Sequence, residues 1–385
     1  MSEKRVIECL QRNHIRAIAT VPCDRMRCFL SMLYGERRFE LIPLNKEEDG
    51  VGICAGIYLG GGRPMMVIQS SGLGNAMNAV MSLGVAYGLP LPILASWRGI
   101  YNEGIAAQRP FSKELPAVLA AWDVPYKTIL EPEDLPLLDD VIQGAFANNT
   151  PYVALVSPKV WHDEGFVPPE VFPTRARESA FDYTRTIRDP EFTRYEAIQI
   201  IAEHLDAQAV VSNIGVASKE LYAVRDRELN FYMTGSWGQA SPIGFGIALA
   251  TGRDTLVIDG DGSLLCTSAL SVIGSRQPKT LFIFCLDNGT HATTGDQMTS
   301  AFRGVDMEVY ARVMGITNTR KVQTREQLHD ALTHLVDGPQ FIHVLIKPGN
   351  AAVPNIPLPL KEIRTRFRDA LHHQIGRPGH EPSGQ

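Results

Sequence analysis

Two apolar runs of strand length end on turns rich in oxygen donors, and that pairing constrains this chain more than any other feature. Thr255-Leu-Val-Ile-Asp259 leads into Gly260-Asp261-Gly262-Ser263; 27 residues after Asp261, the run Leu281-Phe-Ile-Phe-Cys-Leu-Asp287 ends on Asn288. Short, continuously apolar runs bounded by turn residues read as strands buried on both faces of a parallel sheet. Two parallel strand ends bearing a carboxylate and a carboxamide can hold a hard divalent cation between protein oxygens and a diphosphate. Taken singly, Gly-Asp-Gly and Asn-Gly are common tight turns. Their combination, after two apolar strands, marks a candidate site.

The rest of the chain repeats the same alternation. In the first half, strands are predicted over 15–21, 39–44, 65–69, 91–96 and 152–156, with helices over 46–60, 75–87 and 133–146. A proline-rich and then mixed-charge stretch follows, after which alternation resumes with helices over 194–204, 217–224, 238–250, 267–275 and 325–336. Strands over 207–212, 255–259, 280–286 and 341–346 complete that half. The expected fold class is α/β: two domains with mostly parallel sheets and flanking helices, at 1–165 and 191–370, joined by a linker at 166–190 and followed by a flexible tail at 371–385. Residue identity between the halves is weak, so no repeat is read from the sequence.

The 385 residues carry a formal charge of −5, and their 37 Lys plus Arg are dispersed. Nothing in this pattern points to nucleic acid or an anionic membrane as partner. The apolar stretch 64–97 is interrupted by polar residues and prolines, so no membrane span is expected. The six cysteines form no Cys-x-x-Cys or zinc-like set, and the N-terminus lacks an apolar signal core, so a reducing cytoplasm is the expected compartment.

Gly260-Asp261-Gly262 through Asn288 resembles the metal-diphosphate motif of thiamine diphosphate enzymes. The resemblance implies Asp261, Asn288 and the Thr290 carbonyl as Mg²⁺ ligands, with Gly260, Gly262 and Ser263 against the diphosphate and Asn213 and Gly215 in a second phosphate loop. Lys46-Glu47-Glu48-Asp49-Gly50-Val51-Gly52 resembles the segment whose glutamate contacts the cofactor's aminopyrimidine and promotes removal of the thiazolium C2 proton. Glu47 takes that role, with Glu48 as the alternative. Adjacent helical positions differ by about 100°, so the three acids are not all expected to point inward.

Gln69-Ser70-Ser71-Gly72-Leu73-Gly74-Asn75 resembles a loop of decarboxylases acting on phosphonopyruvate and sulfopyruvate, implying Ser70, Gly72 and Asn75 on the cofactor side. In Gly235-Ser236-Trp237-Gly238, Ser236 and Trp237 fall where relatives support the bent cofactor with Met or Leu; a core aromatic is the other reading of Trp237. Asn288-Gly289-Thr290-His291 matches a family stretch in which His291 orients or protonates an intermediate, or is simply a packed loop histidine. Lys46, Arg98 and Gln108 are the implied substrate contacts; for the two cations a surface or intersubunit ion pair is the alternative.

Two domains without a middle one, together with Val21-Pro-Cys-Asp24, Ser96-Trp-Arg-Gly99 and Ile346-Lys-Pro-Gly-Asn350, resemble the two subunits of sulfopyruvate decarboxylases fused in one polypeptide. That implies non-oxidative decarboxylation of a small anionic 2-oxoacid, 3-sulfopyruvate, to sulfoacetaldehyde through a thiamine diphosphate C2 carbanion, in the coenzyme M biosynthesis of a methanogenic archaeon. Phosphonopyruvate decarboxylation is the alternative. A homodimer or homotetramer with interfacial active sites is also implied.

Overall fold

The structure is a computed structural model that describes residues 1–166, 183–184 and 186–375. Most of the expected linker, and residues 376–385 of the expected tail, lie outside these. The first sheet contains β1 (Ala17–Thr20), β2 (Glu40–Pro43), β3 (Pro64–Gln69), β4 (Leu91–Ser96), β5 (Tyr126–Ile129) and β6 (Pro151–Val156). The second contains β7 (Ala209–Ser212), β8 (Asn230–Tyr232), β9 (Thr255–Gly260), β10 (Leu281–Asp287), β13 (Asn318–Val322) and β14 (Gln340–Leu345), while β11 (Thr290–His291) and β12 (Gln297–Met298) form a small antiparallel hairpin. Every pairing within the two large sheets is parallel.

The first sheet runs β2-β1-β3-β4-β6-β5 and the second β8-β7-β9-β10-β14-β13. These are the same order, 2-1-3-4-6-5, so the halves are a repeat of topology that residue identity does not disclose. In both sheets the order reverses between the first and third strands, the switch point where open α/β sheets bind ligands beyond their carboxyl ends.

One apolar core runs from the inner face of the first sheet to the second sheet; another covers the first sheet's outer face. Between the sheets lie helices Glu47–Leu59 and Ala240–Thr251. All thirteen residues of the former are buried, as expected for a helix that other elements enclose on every side. The helices touch backbone to backbone: a Cβ on Gly56 would lie 2.1 Å from the Ile243 carbonyl oxygen, and one on Gly246 2.1 Å from that of Ile53. The obstacle is backbone and cannot rotate away. Gly56→Ala should therefore destabilise the fold by about 1–3 kcal/mol or more, read as a lower urea midpoint; an unchanged midpoint would remove this crossing as a constraint.

Three local expectations need correction. Residues 70–75 are not a loop: helix Ser70–Ala79 starts where β3 ends and passes into a widened turn over Val80–Val85. The last helix, Leu360–Ile375, runs through the start of the expected tail, with Leu371 fully buried. All three acids of the Glu47 helix are buried, because two of them meet helix Ser70–Ala79 and the third meets the second domain. Glu47 accepts from Asn75 Nδ2 at 3.0 Å and Glu48 from Asn78 Nδ2 at 3.1 Å, whereas Asp49 reaches across to the second domain, accepting from Thr267 Oγ1 at 2.6 Å and Ser268 N at 3.0 Å.

Candidate active site

A cavity of about 400 Å³ opens at the carboxyl ends of β7, β9 and β10, at the switch point of the second sheet. Its volume is within the range of roughly 300–1,000 Å³ common for small-ligand sites. The expected residues Asn213, Trp237, Gly260, Asp261, Gly262, Ser263, Asn288, Thr290 and His291 all line it. Gly215, next to the lining, packs on Thr293, whose Oγ1 stands 2.7 Å from the place of a Cβ there. Ser236 is outside the lining; its hydroxyl lies 2.6 Å from that of Ser82 in the first domain. Trp237 is 42 % exposed and meets His291 edge to face at 5.7 Å, so it is a rim residue and not a core aromatic.

Adjacent strands β9 and β10 bring Asp261 and Asn288 to one end of the sheet. Asp261 Oδ2 accepts from the Thr299 hydroxyl, and Asn288 Oδ1 from Thr290 N at 3.0 Å. Burial, and then the charge of nearby Asp287, push the Asp261 carboxyl well above the ordinary carboxylate range. Asp259 is also buried, and burial raises it too, although it accepts from Ser241 Oγ at 2.9 Å and Gly260 N at 2.9 Å. This clustering of buried acidic oxygens with an amide oxygen is a donor set suited to Mg²⁺, and the neighbouring glycines leave backbone open to a phosphate.

A second polar layer, which the sequence reading missed, braces the turn after β10. Asp287 accepts from Gly289 N at 2.9 Å and bonds His343 Nε2 at 2.8 Å; His343 Nδ1 stands 3.6 Å from Asp306, which pairs with Lys321. Burial opposes a charge on His343, but the carboxylates of Asp287 and Asp306 outweigh it and raise its pKa. A histidine inside the apolar run Gln340-Phe-Ile-His-Val-Leu345 was the available signal. Arg194 also lines the cavity and was missed, since its neighbours resemble any helix start.

The first-domain residues gather elsewhere. Glu47, Ser70, Gly72, Asn75, Lys46, Arg98 and Gln108 do not line the cavity. Glu47 Oε1 would be 2.5 Å from a Cβ on Gly72, so this glycine gives the carboxylate its place against helix Ser70–Ala79. Ser70 is buried, and its hydroxyl accepts from Arg98 N at 3.0 Å. The substrate-side cations are engaged within their own chain: Lys46 pairs with Glu48 at 2.6 Å. Arg98, 2 % exposed, donates to Glu103 through Nε at 2.7 Å and Nη2 at 2.9 Å. Its Nη1 reaches Asp24 at 2.7 Å and Gln69 at 3.0 Å. Gln69 in turn donates to Gln108 at 3.2 Å. Arg98, expected as a substrate contact, is thus a buried guanidinium held by Glu103, Asp24 and Gln69 at the switch point of the first sheet.

Glu103 is the acidic half of that lock. Hydrogen bonds from Arg98 outweigh its burial and, with those from Ile105 N and Gly99 N, bring its pKa from an ordinary 4.5 to about 2. The sign follows from linkage: a depressed folded pKa gives stability that is complete above the unfolded value and lost as pH falls through the folded one. The melting-temperature gap between wild type and Glu103→Gln should therefore be widest above pH 4.5 and close as pH approaches 2. A gap independent of pH would show that Glu103 does not act through its charge.

Residues 213–344 match the thiamine pyrophosphate enzyme C-terminal TPP binding domain, and residues 3–119 the corresponding N-terminal TPP binding domain. The chain is 46 % identical over 381 residues to a sulfopyruvate decarboxylase of Methanosarcina acetivorans, covering 96 % of this chain and 97 % of that protein. The separate subunits of sulfopyruvate decarboxylase from Methanococcus maripaludis each match about half of it: beta at 40 % identity, covering 47 % of this chain and 98 % of the subunit, and alpha at 30 %, covering 42 % and 99 %. A phosphonopyruvate decarboxylase of Streptomyces hygroscopicus is 32 % identical, over 92 % of this chain and 90 % of that protein. Among solved structures, benzoylformate decarboxylase from Polynucleobacter necessarius superposes with a TM-score of 0.69 at 12 % identity, covering 91 % of this chain and 99 % of that one, a likeness of fold.

Proposed function

The chain belongs to the sulfopyruvate decarboxylase family of thiamine pyrophosphate enzymes, and we propose that it decarboxylates 3-sulfopyruvate to sulfoacetaldehyde and CO₂, using thiamine diphosphate and Mg²⁺, in the cytoplasmic chemistry that leads to coenzyme M. The observation that carries this reading is the meeting of Asp261 and Asn288 at one cavity in a chain that matches such an enzyme along nearly its whole length.

Asp261, Asn288 and the Thr290 carbonyl are the residues that would hold the cation, with Gly260, Gly262, Ser263 and Asn213 around the diphosphate. When bound, thiamine diphosphate supplies a nucleophilic carbon and an electron sink for the departing carboxylate's electrons. The chain itself supplies placement and proton control. Glu47, held by Asn75, would hold a proton at the aminopyrimidine, and Trp237 with His291 would form the rim through which substrate arrives.

Because Glu47 is outside the cavity lining, we assign the first-domain half of each site to a second copy of the chain, in a homodimer or a tetramer built from such dimers. Exposed Trp237, Met298 and Phe302 support this assignment, since they leave apolar surface on and beside the segments forming the cavity.

The test is CO₂ and aldehyde release from 3-sulfopyruvate and 3-phosphonopyruvate side by side, with both cofactors present. Preference for the sulfonate is expected. Preference for the phosphonate would move the chain to the second reading, which the 32 % identical relative favours; no CO₂ from either acid would remove the decarboxylase assignment.

A further inference from the structure

The cavity is lined by two carboxylates, Asp259 and Asp261, and Arg194 is the one Arg or Lys among its lining residues. A divalent cation alone leaves much of a diphosphate's charge unmatched, because both phosphoryl groups are negative near neutral pH and Asp261 already shares the cation. The manner in which Arg194 is held bears on this deficit.

Arg194 is the first residue of helix Arg194–Glu203, and the Thr193–Glu196 capping box fixes its backbone. Its guanidinium is gripped along one edge: Nε donates to Glu220 Oε2 at 2.7 Å and Nη2 to Glu220 Oε1 at 3.1 Å. Nη2 also donates to Asn350 Oδ1 at 2.7 Å. Glu220 is fully buried and accepts from Ala351 N at 3.0 Å, while Asn350 donates to the carbonyl of Ala292, in the loop that lines the cavity. Nη1 has no acceptor among the described residues. One planar face of hydrogen bonds thus clamps the group and leaves a nitrogen with two donors beside the cavity.

A purely structural ion pair would account for the clamp, but not for a spare donor pair at the one place where an anion is needed. We propose that Arg194 is a second anion anchor of this cavity, its Nη1 donating to a phosphoryl oxygen of the bound diphosphate, with Glu220 and Asn350 as positioning residues. The inference rests on the cofactor reading above and deepens it. Arginine suits the task because its fork can bind a carboxylate with one edge and phosphate with the other, which a lysine ammonium cannot do.

The experiment uses cofactor-free full-length protein with Mg²⁺, titrated calorimetrically with thiamine diphosphate and with inorganic pyrophosphate. Arg194→Lys keeps a cation against Glu220 but withdraws the Nη1 donors. Arg194→Met combined with Glu220→Leu removes both members of the pair, so no buried charge is orphaned. Thermal melts identify which variants are folded. In folded variants both ligands should bind about 10- to 100-fold more weakly, the span of a lost charge-assisted hydrogen bond, and pyrophosphate affinity should fall less steeply with salt than in wild type. Unchanged pyrophosphate affinity and salt slope in either folded variant would overturn the proposal while leaving the cofactor reading intact. Failure of wild type itself to bind thiamine diphosphate with Mg²⁺ would instead sink the cofactor reading.

Discussion

Glu47→Gln should lower CO₂ release by about 10²- to 10⁴-fold, the span of a lost general acid–base group, while thiamine diphosphate affinity stays within a few-fold of wild type. The substitution is nearly isosteric. Asn75 Nδ2, 3.0 Å from the carboxylate, can still donate to the amide oxygen of the substituted side chain, and Gly72 still leaves the space that the side chain fills. What changes is the capacity to hold and return a proton. The discriminating measurement is therefore exchange of the cofactor's C2 proton for deuterium in the enzyme-bound state. Exchange slowed in parallel with turnover is the expected result. Unchanged exchange would take Glu47 out of its role and pass it to Glu48, which is engaged with Lys46 and Asn78.

Much of this architecture is legible in the residues because the interior strands β3, β4, β9, β10 and β14 are buried on both faces and read as apolar runs, which only His343 of β14 interrupts. Within the two large sheets, the strands the sequence did not disclose are β5, β8 and β13, each at a sheet edge. Tyr126-Lys-Thr-Ile and Asn318-Thr-Arg-Lys-Val are partly exposed and mix polar with apolar residues, and Asn230-Phe-Tyr is too short to show a period. The proposed metal-diphosphate half of the site was readable because its residues sit on two strand ends close in sequence. The partners that tune it were not: His343 lies 56 residues from Asp287, and Asn350 lies 156 from Arg194. Arg98 shows the converse difficulty. Its position after a strand suggests a ligand contact, but its burial and its partner Glu103 emerge only when the following loop folds back over it.

Asp261→Asn should have effects of opposite sign on stability and binding. In the cofactor-free protein the carboxylate is buried beside Asp287, and both burial and that neighbour disfavour its charge. A neutral amide of the same shape relieves this, so the cofactor-free melting temperature should rise, by ~2–4 °C for each kcal/mol gained. Mg²⁺-dependent binding of thiamine diphosphate should weaken by more than about 100-fold, because even outer partners of metal ligands commonly cost 10- to 100-fold. Mg²⁺-dependent affinity within a few-fold of wild type would refute the assignment of Asp261 as a ligand, and a fall in stability would show that its charge is not disfavoured in the cofactor-free fold. The same variant tests where each half-site comes from. If Glu47 of one copy serves the cavity of another, mixing Glu47→Gln with Asp261→Asn and allowing subunits to exchange creates one intact site in each mixed dimer. Random pairing in a two-fold dimer then restores about a quarter of wild-type activity. Sites assembled within a single chain would leave every molecule in that mixture defective, and no activity would return.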